Sequence, residues 1–155
     1  MARGRVTGTI PAPAWEVFDL VHDYPRRLEW DTLLSAAYLD DGYTEAGKGA
    51  TSVCVGKWYL GRLALKTVYV VFDRPAVAAI KMVNHPPFFD SWAASLRHED
   101  TGDGSSRITY AFHFTTKPEV LRFVFEPLMG AIFESEVRKR LRALKLHFGR
   151  IVYPK

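Results

Sequence analysis

Residues 126–148 read EPLMGAIFESEVRKRLRALKLHF, and the spacing of their apolar side chains predicts a long helix. At ~100° per residue, one stripe of this helix carries Gly, Phe, Val, Leu, Leu and Phe at positions 130, 133, 137, 141, 144 and 148. Leu128, Met129 and Ile132 widen the stripe in the first half only. We therefore expect a helix with a broad apolar face near its start and a narrow buried seam near its end.

The second half of the same stretch is basic, with five Lys or Arg residues between positions 138 and 145. Arg138 follows Glu134 by four positions, a spacing at which an ion pair stabilises a helix by ~0.2–0.5 kcal/mol. Arg140 follows Glu136 at the same interval. The pattern favours a solvated helix face, and it leaves a ribosome, a membrane surface or a protein partner as alternative roles for these charges.

Composition and charge describe one globular domain, which we expect to span residues 1–155. Hydrophobic residues make up 48% of the chain and charged residues 25%, proportions typical of globular proteins. The net charge is +4, but residues 138–155 hold seven basic residues and no acid. The excess charge is therefore a local feature. It does not favour nucleic acid as a partner and leaves peripheral membrane contact open, while the oligomeric state is not indicated.

The chain has no motif that indicates a metal, a cofactor or a known catalytic centre. It contains no glycine-rich phosphate loop, no GxGxxG, no HExxH, no CxxC and no GxSxG. Its five histidines show no metal-ligand spacing, and Cys54 is the single cysteine. We expect no cofactor and no metal site. The lone thiol, the lack of an apolar run of ~18 residues and the lack of an uninterrupted apolar segment in the first 20 residues predict a cytoplasmic protein.

The remaining pattern predicts one strand, two short helices and then an antiparallel meander. The first strand covers residues 3–10, and the helices fall on PAPAWEVFDLVHDY and PRRLEWDTLLS. Six further strands are separated by turn residues and cover 36–40, 50–58, 63–73, 77–84, 89–99 and 106–116. Because no helical segment lies between them, they indicate an antiparallel sheet. A final helical region runs from Pro118 to about His147, with a restart at Pro127.

This order of elements resembles the START/SRPBCC helix-grip superfamily, and within it the polyketide cyclase/dehydrase-like members. The resemblance is carried by IPAPAWEVFDLVHDYPRRLEWD near the start and by PLMGAIFESEVRKRLRALKLHF near the end. It implies an α+β helix-grip fold, in which a seven-stranded curved antiparallel sheet wraps around the long C-terminal helix. Two short helices lie between strands 1 and 2. It also implies a deep, largely apolar cavity between the sheet and that helix.

The function implied is binding of a hydrophobic small molecule, which is lipid-, polyketide- or isoprenoid-like. One alternative is a cyclase/dehydratase-type enzyme acting on such a ligand, and another is a ribosome-, membrane- or protein-interaction module that uses the basic helix. The sequence leaves open whether the protein is an enzyme. The chain lacks any Rieske-type Cys/His pair or mononuclear iron ligand set, which disfavours the oxygenase branch of the superfamily.

Alternation along RITYAFHFT, residues 107–115, places Ile108, Tyr110, Phe112 and Phe114 on one buried face. The same rule gives Trp92 a shared face with its alternate neighbours and pairs Ile80 with Met82. Together with the resemblance, the predicted ligand-binding residues are Trp30, Leu33, Ile80, Met82, Trp92, Tyr110, Phe112, Leu128, Met129, Ile132 and Phe133. The candidate catalytic residues are Asp90, placed on the face of Trp92, and Tyr110. A carboxylate or hydroxyl in an apolar hollow can serve in proton transfer.

Overall fold

The computed structural model describes residues 2–56 and 64–152, and its strands form one antiparallel sheet. The strands are β1 Ala2–Ile10, β2 Leu34–Asp40, β3 Thr51–Gly56, β4 Ala64–Asp73, β5 Val77–Met82, β6 Phe89–Asp100 and β7 Ser106–Thr116. Their order across the curved sheet is β1-β7-β6-β5-β4-β3-β2. The predicted seven-stranded antiparallel sheet is confirmed. The predicted ends of the third and fourth strands, at residues 57, 58 and 63, lie outside the described residues.

Short helices follow β1, as predicted, but the second is shorter than its sequence pattern indicated. Helix α1 covers Ala14–Val21, and a 3-10 turn at Tyr24–Arg26 leads into α2, Arg27–Trp30. The predicted helix continued to residue 35, whereas the chain leaves helical geometry at Asp31. The Asp31 carboxylate accepts the backbone N–H of Leu33, an arrangement that favours a turn over further helix.

The C-terminal helix α3 is continuous from Arg122 to Val152 and follows a 3-10 turn at Glu119–Leu121. The predicted restart at Pro127 is wrong, because this proline lies inside α3 without ending it. The proline ring removes one backbone hydrogen bond, to the carbonyl of Phe123. Phe123 lies at the exposed start of the helix, where water can satisfy that carbonyl.

The predicted seam of α3 is confirmed, since its side chains are buried in the main core. The buried residues of this seam are Val137, Leu141, Leu144 and Phe148. The broad apolar face near the start of the helix is only partly covered, and Leu128 and Ile132 remain exposed. Helix α3 therefore packs tightly in its second half and leaves apolar surface uncovered in its first half.

Gly130 lies on α3 opposite the first strand, and neither close packing nor the cavity requires a glycine there. A Cβ atom added there would sit 3.9 Å from the Cβ of Ala2, an ordinary contact distance. Gly130 is also absent from the cavity wall described below. The site therefore has room for one methyl group, and that group would extend toward β1.

We expect Gly130→Ala to raise the free energy of unfolding by about 0.4–1 kcal/mol, because alanine favours a helix interior and restricts the unfolded chain. Urea denaturation measures the change. The control is Gly42→Ala, at a turn glycine with φ +81° and no atom within 4 Å of the added Cβ. This second change should destabilise by about 1 kcal/mol, since only the backbone conformation disfavours it. A destabilised Gly130→Ala protein would contradict the packing described above.

The placement of α3 explains why the fold contains a hollow. The helix packs chiefly against β1 and β7, at one edge of the sheet. Helix α1 packs against β6 and β7, and α2 packs against β2 and α3. The concave surface of β3, β4 and β5 is therefore left facing α3 across a gap.

Candidate ligand-binding site

A cavity of about 340 Å³ lies between α3 and the concave face of the sheet. Its apolar wall consists of Val21, Leu33, Leu34, Leu65, Ile80, Phe89, Trp92, Leu96, Phe112, Met129, Ile132, Phe133 and Val137. Its polar wall consists of His22, Tyr24, Arg27, Cys54, Thr67, Tyr69, Tyr110, Glu136 and Arg140. Cavities of this size and composition are typical of small-molecule sites.

Most of the residues predicted to bind ligand line this cavity. They are Leu33, Ile80, Trp92, Tyr110, Phe112, Met129, Ile132 and Phe133. The inward residues of β6 and β7 follow the alternation of a half-buried strand, which is why the sequence pattern located them. That these side chains contact a ligand stays a prediction.

Three predicted residues do not line the cavity. Trp30 is buried in the core, with the Arg27 guanidinium 5.0 Å from its ring centroid. Met82 packs, half-buried, against the same core, and Leu128 is 58% exposed on α3. The sequence predicted that the side chains of Trp30 and Met82 point into the protein, and they do. It did not distinguish a residue of the packed core from a residue of the cavity wall.

Asp90 lies on the protein surface, so its predicted place beside Trp92 is wrong. The pairing of β6 with β7 shifts by one residue between Phe89 and Ser91, which reverses the side on which Asp90 lies. Its carboxylate is 3.3 Å from the Arg122 Nη2 atom in an exposed ion pair. Asp90 therefore has no place in the cavity.

Tyr110, the other catalytic candidate, does lie on the cavity wall. Burial raises the pKa of its hydroxyl, and the nearby Arg140 charge only partly opposes this effect. The hydroxyl is therefore neutral at pH 7 and can donate a hydrogen bond.

A chain of hydrogen bonds runs along the polar wall through side chains of α1, the following turn, β3 and β4. His22 Nδ1 is 2.7 Å from the Tyr69 hydroxyl, which is 3.0 Å from the Tyr24 hydroxyl. Tyr24 donates to Ser52 Oγ at 3.0 Å, and Ser52 Oγ is 3.1 Å from Thr67 Oγ1. These five side chains form one connected polar cluster inside the protein.

The donor and acceptor roles in this chain follow from its geometry. Tyr24 has one hydroxyl hydrogen, and it is directed at Ser52. Tyr69 must therefore donate to Tyr24, and His22 must donate from Nδ1 to Tyr69. The imidazole is then neutral with its lone pair on Nε2. The three hydrogen bonds from His22 to Ser52 point in one direction, so they reinforce one another, while either hydroxyl of the Ser52–Thr67 pair can donate.

His22 of this polar wall is buried next to a second histidine, His98. His22 and His98 have ring centroids 6.4 Å apart, and both rings contact Phe18. Burial lowers the pKa of His22 well below its ordinary value, and the neighbouring His98 and Arg27 lower it further. Burial also lowers the pKa of His98, to about 4. Both rings are therefore neutral at pH 7.

An ion triad forms the end of the cavity where α2 meets α3. The Asp31 Oδ2 atom accepts a hydrogen bond of 2.9 Å from Arg27 Nε, and it lies 3.0 Å from Arg140 Nε. Arg27 also donates to the carbonyl of Val21 at 3.1 Å. Burial alone would raise the pKa of Asp31, but the charges of Arg140 and Arg27 outweigh it and lower that pKa. Asp31 is therefore ionised at pH 7.

Sequence patterns did not indicate most of this polar wall. Arg140 was expected to pair with Glu136 on a solvated face, whereas it contacts Asp31 and Glu136 contacts Lys139 at 3.2 Å. Both residues line the cavity. Helical spacing could have indicated that Glu136 and Arg140 line the cavity. Positions 136 and 140 continue the helix face of Met129, Ile132 and Phe133, which faces the cavity.

Three other basic side chains of α3, those of Arg138, Arg142 and Lys145, lie on a solvated face as the sequence predicted. Arg138 is exposed and its Nη2 atom lies 2.7 Å from Glu134 Oε1, which confirms that pair. Arg142 and Lys145 are also exposed.

Among the helices within residues 2–56 and 64–152, none is long and apolar enough to cross a membrane. The described residues also contain no group of three or more His, Cys, Asp or Glu that could hold a metal ion.

The fold and the cavity together define a helix-grip protein of the START type. The sequence pattern of one family, described as polyketide cyclase/dehydrase and lipid transport, matches residues 1–149. The chain belongs to this family. No curated protein sequence shows significant similarity to it.

Solved structures with the same fold include aromatase/cyclases and a START superfamily protein. The ZhuI aromatase/cyclase from Streptomyces sp. R1128 superposes with a TM-score of 0.82 at 14% identity, over 98% of this chain and 96% of that one. A START superfamily protein from Mycobacterium smegmatis gives 0.80 at 11%, over 97% and 99%. The di-domain aromatase/cyclase BexL from the BE-7585A biosynthetic pathway gives 0.80 at 12% over 99% of this chain, which spans 48% of BexL. At these identities the likeness shows the fold alone.

Proposed function

We propose that this protein binds a hydrophobic small molecule, lipid-, polyketide- or isoprenoid-like, in the cavity beneath α3. The observation that carries the proposal is a hollow of about 340 Å³ with a mainly apolar wall and a cluster of polar side chains at one end. Burial of a ligand's apolar surface contributes roughly 25 cal/mol per Å². Membership of a family that includes lipid-transport proteins and polyketide cyclases supports the same function.

The two ends of the cavity fit a ligand with distinct ends. Aromatic rings form the apolar end, where Phe133 lies 5.7 Å from Phe89 and 5.9 Å from Phe112 between ring centroids. The hydrogen-bonded tyrosines and the ion triad form the polar end. An apolar body would be held by the rings, while the polar groups would orient one oxygen-bearing end.

A tryptophan that fills the cavity should prevent binding. Leu65 lines the cavity from β4, so Leu65→Trp places a bulky ring in the hollow. Native mass spectrometry of the purified protein is expected to show a co-purified small molecule in the original chain and none in this variant. A fluorescent apolar probe should likewise bind the original chain and bind the variant at least 10-fold more weakly.

Val70→Trp is the control, since it adds the same ring to the same strand at a side chain that is 40% exposed. It should bind as the original chain does. Equal binding by Leu65→Trp and Val70→Trp, with both proteins folded by circular dichroism, would show that the cavity is not the binding site.

A second candidate function, a cyclase/dehydratase, is favoured by the directional hydrogen-bond chain and by the Tyr110 hydroxyl on the cavity wall. An intramolecular condensation that loses water moves a proton from a carbon atom to a base and delivers a proton to the departing hydroxyl. Neutral imidazole and phenol groups can serve these roles. The mass of the ligand before and after incubation with the protein distinguishes the two functions. A binding protein leaves that mass unchanged, whereas a cyclase/dehydratase returns a product that is lighter by one water.

A further inference from the structure

The polar end of the cavity brings two guanidinium groups onto one carboxylate. Arg27 and Arg140 share the single carboxylate of Asp31, and both contacts fall on the same oxygen, Oδ2. The other carboxylate on this wall belongs to Glu136, whose Oε1 atom lies 3.2 Å from the exposed Lys139. The triad of Arg27, Asp31 and Arg140 therefore has one positive charge in excess. Burial makes such a charge costly unless an anion pairs with it.

Arg140 is the cation whose donors remain available. Its Nε atom contacts Asp31 without hydrogen-bond geometry, and its guanidinium makes no side-chain hydrogen bond within residues 2–56 and 64–152. The side chain is 18% exposed and lines the cavity. A guanidinium presents paired N–H donors that match the two oxygens of a carboxylate.

The cavity face of α3 changes from apolar to charged along the helix. It begins with Met129, Ile132 and Phe133 and ends at Arg140. At ~1.5 Å per residue, Met129 and Arg140 are about 16 Å apart along the helix axis. This length suits an extended apolar chain that has one charged end.

We propose that the ligand is an amphipathic monoanion whose carboxylate pairs with Arg140 and whose apolar body lies along Met129 and Phe133. This inference rests on the proposed binding function and adds the chemical class of the ligand. Asp31 and Arg27 hold the Arg140 guanidinium in position, and the ligand supplies the missing negative charge.

The experiment compares four probes of one chain length, a straight-chain fatty acid of about twelve carbons, its methyl ester, its primary alcohol and its primary amine, sized to the cavity. Isothermal titration calorimetry at pH 7 measures their binding to the original chain. We expect the carboxylate to bind about 10- to 100-fold more tightly than the ester or alcohol, as charge-assisted hydrogen bonds would give. The amine should bind most weakly, since it adds a second positive charge.

Variants test the assignment to Arg140. In Arg140→Gln the carboxylate should lose its advantage over the ester and the alcohol. The matched control is Arg138→Gln, which removes an exposed arginine from the same helix and should leave the order of the four probes unchanged. If Arg140→Gln fails to fold, Arg140→Lys keeps the charge without the paired donors and should retain only part of the preference.

The outcomes separate this inference from the function on which it rests. Equal affinity for the carboxylate, ester and alcohol would overturn the inference and leave the binding function intact. Binding of none of the four probes, together with no difference between the original chain and Leu65→Trp for the fluorescent apolar probe, would overturn the binding function. A carboxylate preference that persists in Arg140→Gln would show that Arg140 is not the anion-binding residue.

Discussion

Replacement of Asp31 by asparagine should lower the free energy of unfolding by about 3–5 kcal/mol. The change keeps the shape of the side chain but removes the one carboxylate that contacts both Arg27 and Arg140. The buried Arg27 guanidinium and the half-buried Arg140 guanidinium would then lie close together without this counter-ion, and burial makes that arrangement costly. Urea denaturation at pH 7, followed by tryptophan fluorescence, measures the loss.

The control for Asp31→Asn is Asp19→Asn, which breaks an exposed pair of the same two residue types. Asp19 contacts Arg74 at 2.6 and 2.7 Å, distances as short as those in the triad. Removal of the Asp19 charge should change the free energy of unfolding little, because water screens the exposed charges of this pair. A similar stability for both variants would mean that the triad does not hold α2 against α3.

Acidification should destabilise the protein well before its carboxylates are protonated, because of its buried histidines. The pKa of His98 is about 4 in the folded chain, against 6.5 for the free side chain. The unfolded chain therefore binds a proton that the folded chain does not bind between these values, so stability falls as the pH falls. From pH 7 to pH 4 the expected loss from His98 is about 3 kcal/mol, at 1.36 kcal/mol per pKa unit. The lowered pKa of His22 acts in the same direction.

His98→Leu tests this pH dependence directly. Neither ring nitrogen of His98 has a hydrogen-bond partner in the described part of the chain, so leucine removes a titrating group without breaking such a bond. Denaturation curves between pH 7 and pH 4.5 should show a smaller slope of stability against pH than in the original chain. Asp31 does not interfere in this range, since its lowered pKa confines its loss of charge to lower pH. His113→Leu, at an exposed site on β7, controls for loss of a histidine, and an unchanged slope in His98→Leu would contradict the assignment.

Regular periodicity made the fold and the apolar part of the site predictable. Strand β7 alternates strictly, so the sequence alone places Tyr110 and Phe112 on the inner face. The buried seam of α3 followed from spacings of three and four residues. These patterns persist because one side of each element is covered by the protein itself.

The polar wall was not predictable, because it depends on contacts between residues far apart in the sequence. Arg140 is directed inward by Asp31, more than a hundred positions earlier in the chain. Helical spacing alone places Arg140 on the cavity face of α3, but it does not indicate this distant partner. Asp90 was misplaced because a one-residue bulge has no clear sequence signal and reverses the face of a side chain. Trp30 was misplaced because an aromatic residue near the cavity and one in the core have the same local pattern.

The position of β1 at the edge of the sheet has a consequence for how the chain folds. From β2 through β7, strands that are consecutive in sequence pair with each other. Strand β1 pairs only with β7, and Ile10 lies opposite Ser106. On the ribosome β1 emerges first, and its pairing partner is synthesised about a hundred residues later. Closing so long a loop is slow. Until translation reaches β7, the first strand lacks its native partner, so β1 can join the sheet only after most of the chain has been synthesised.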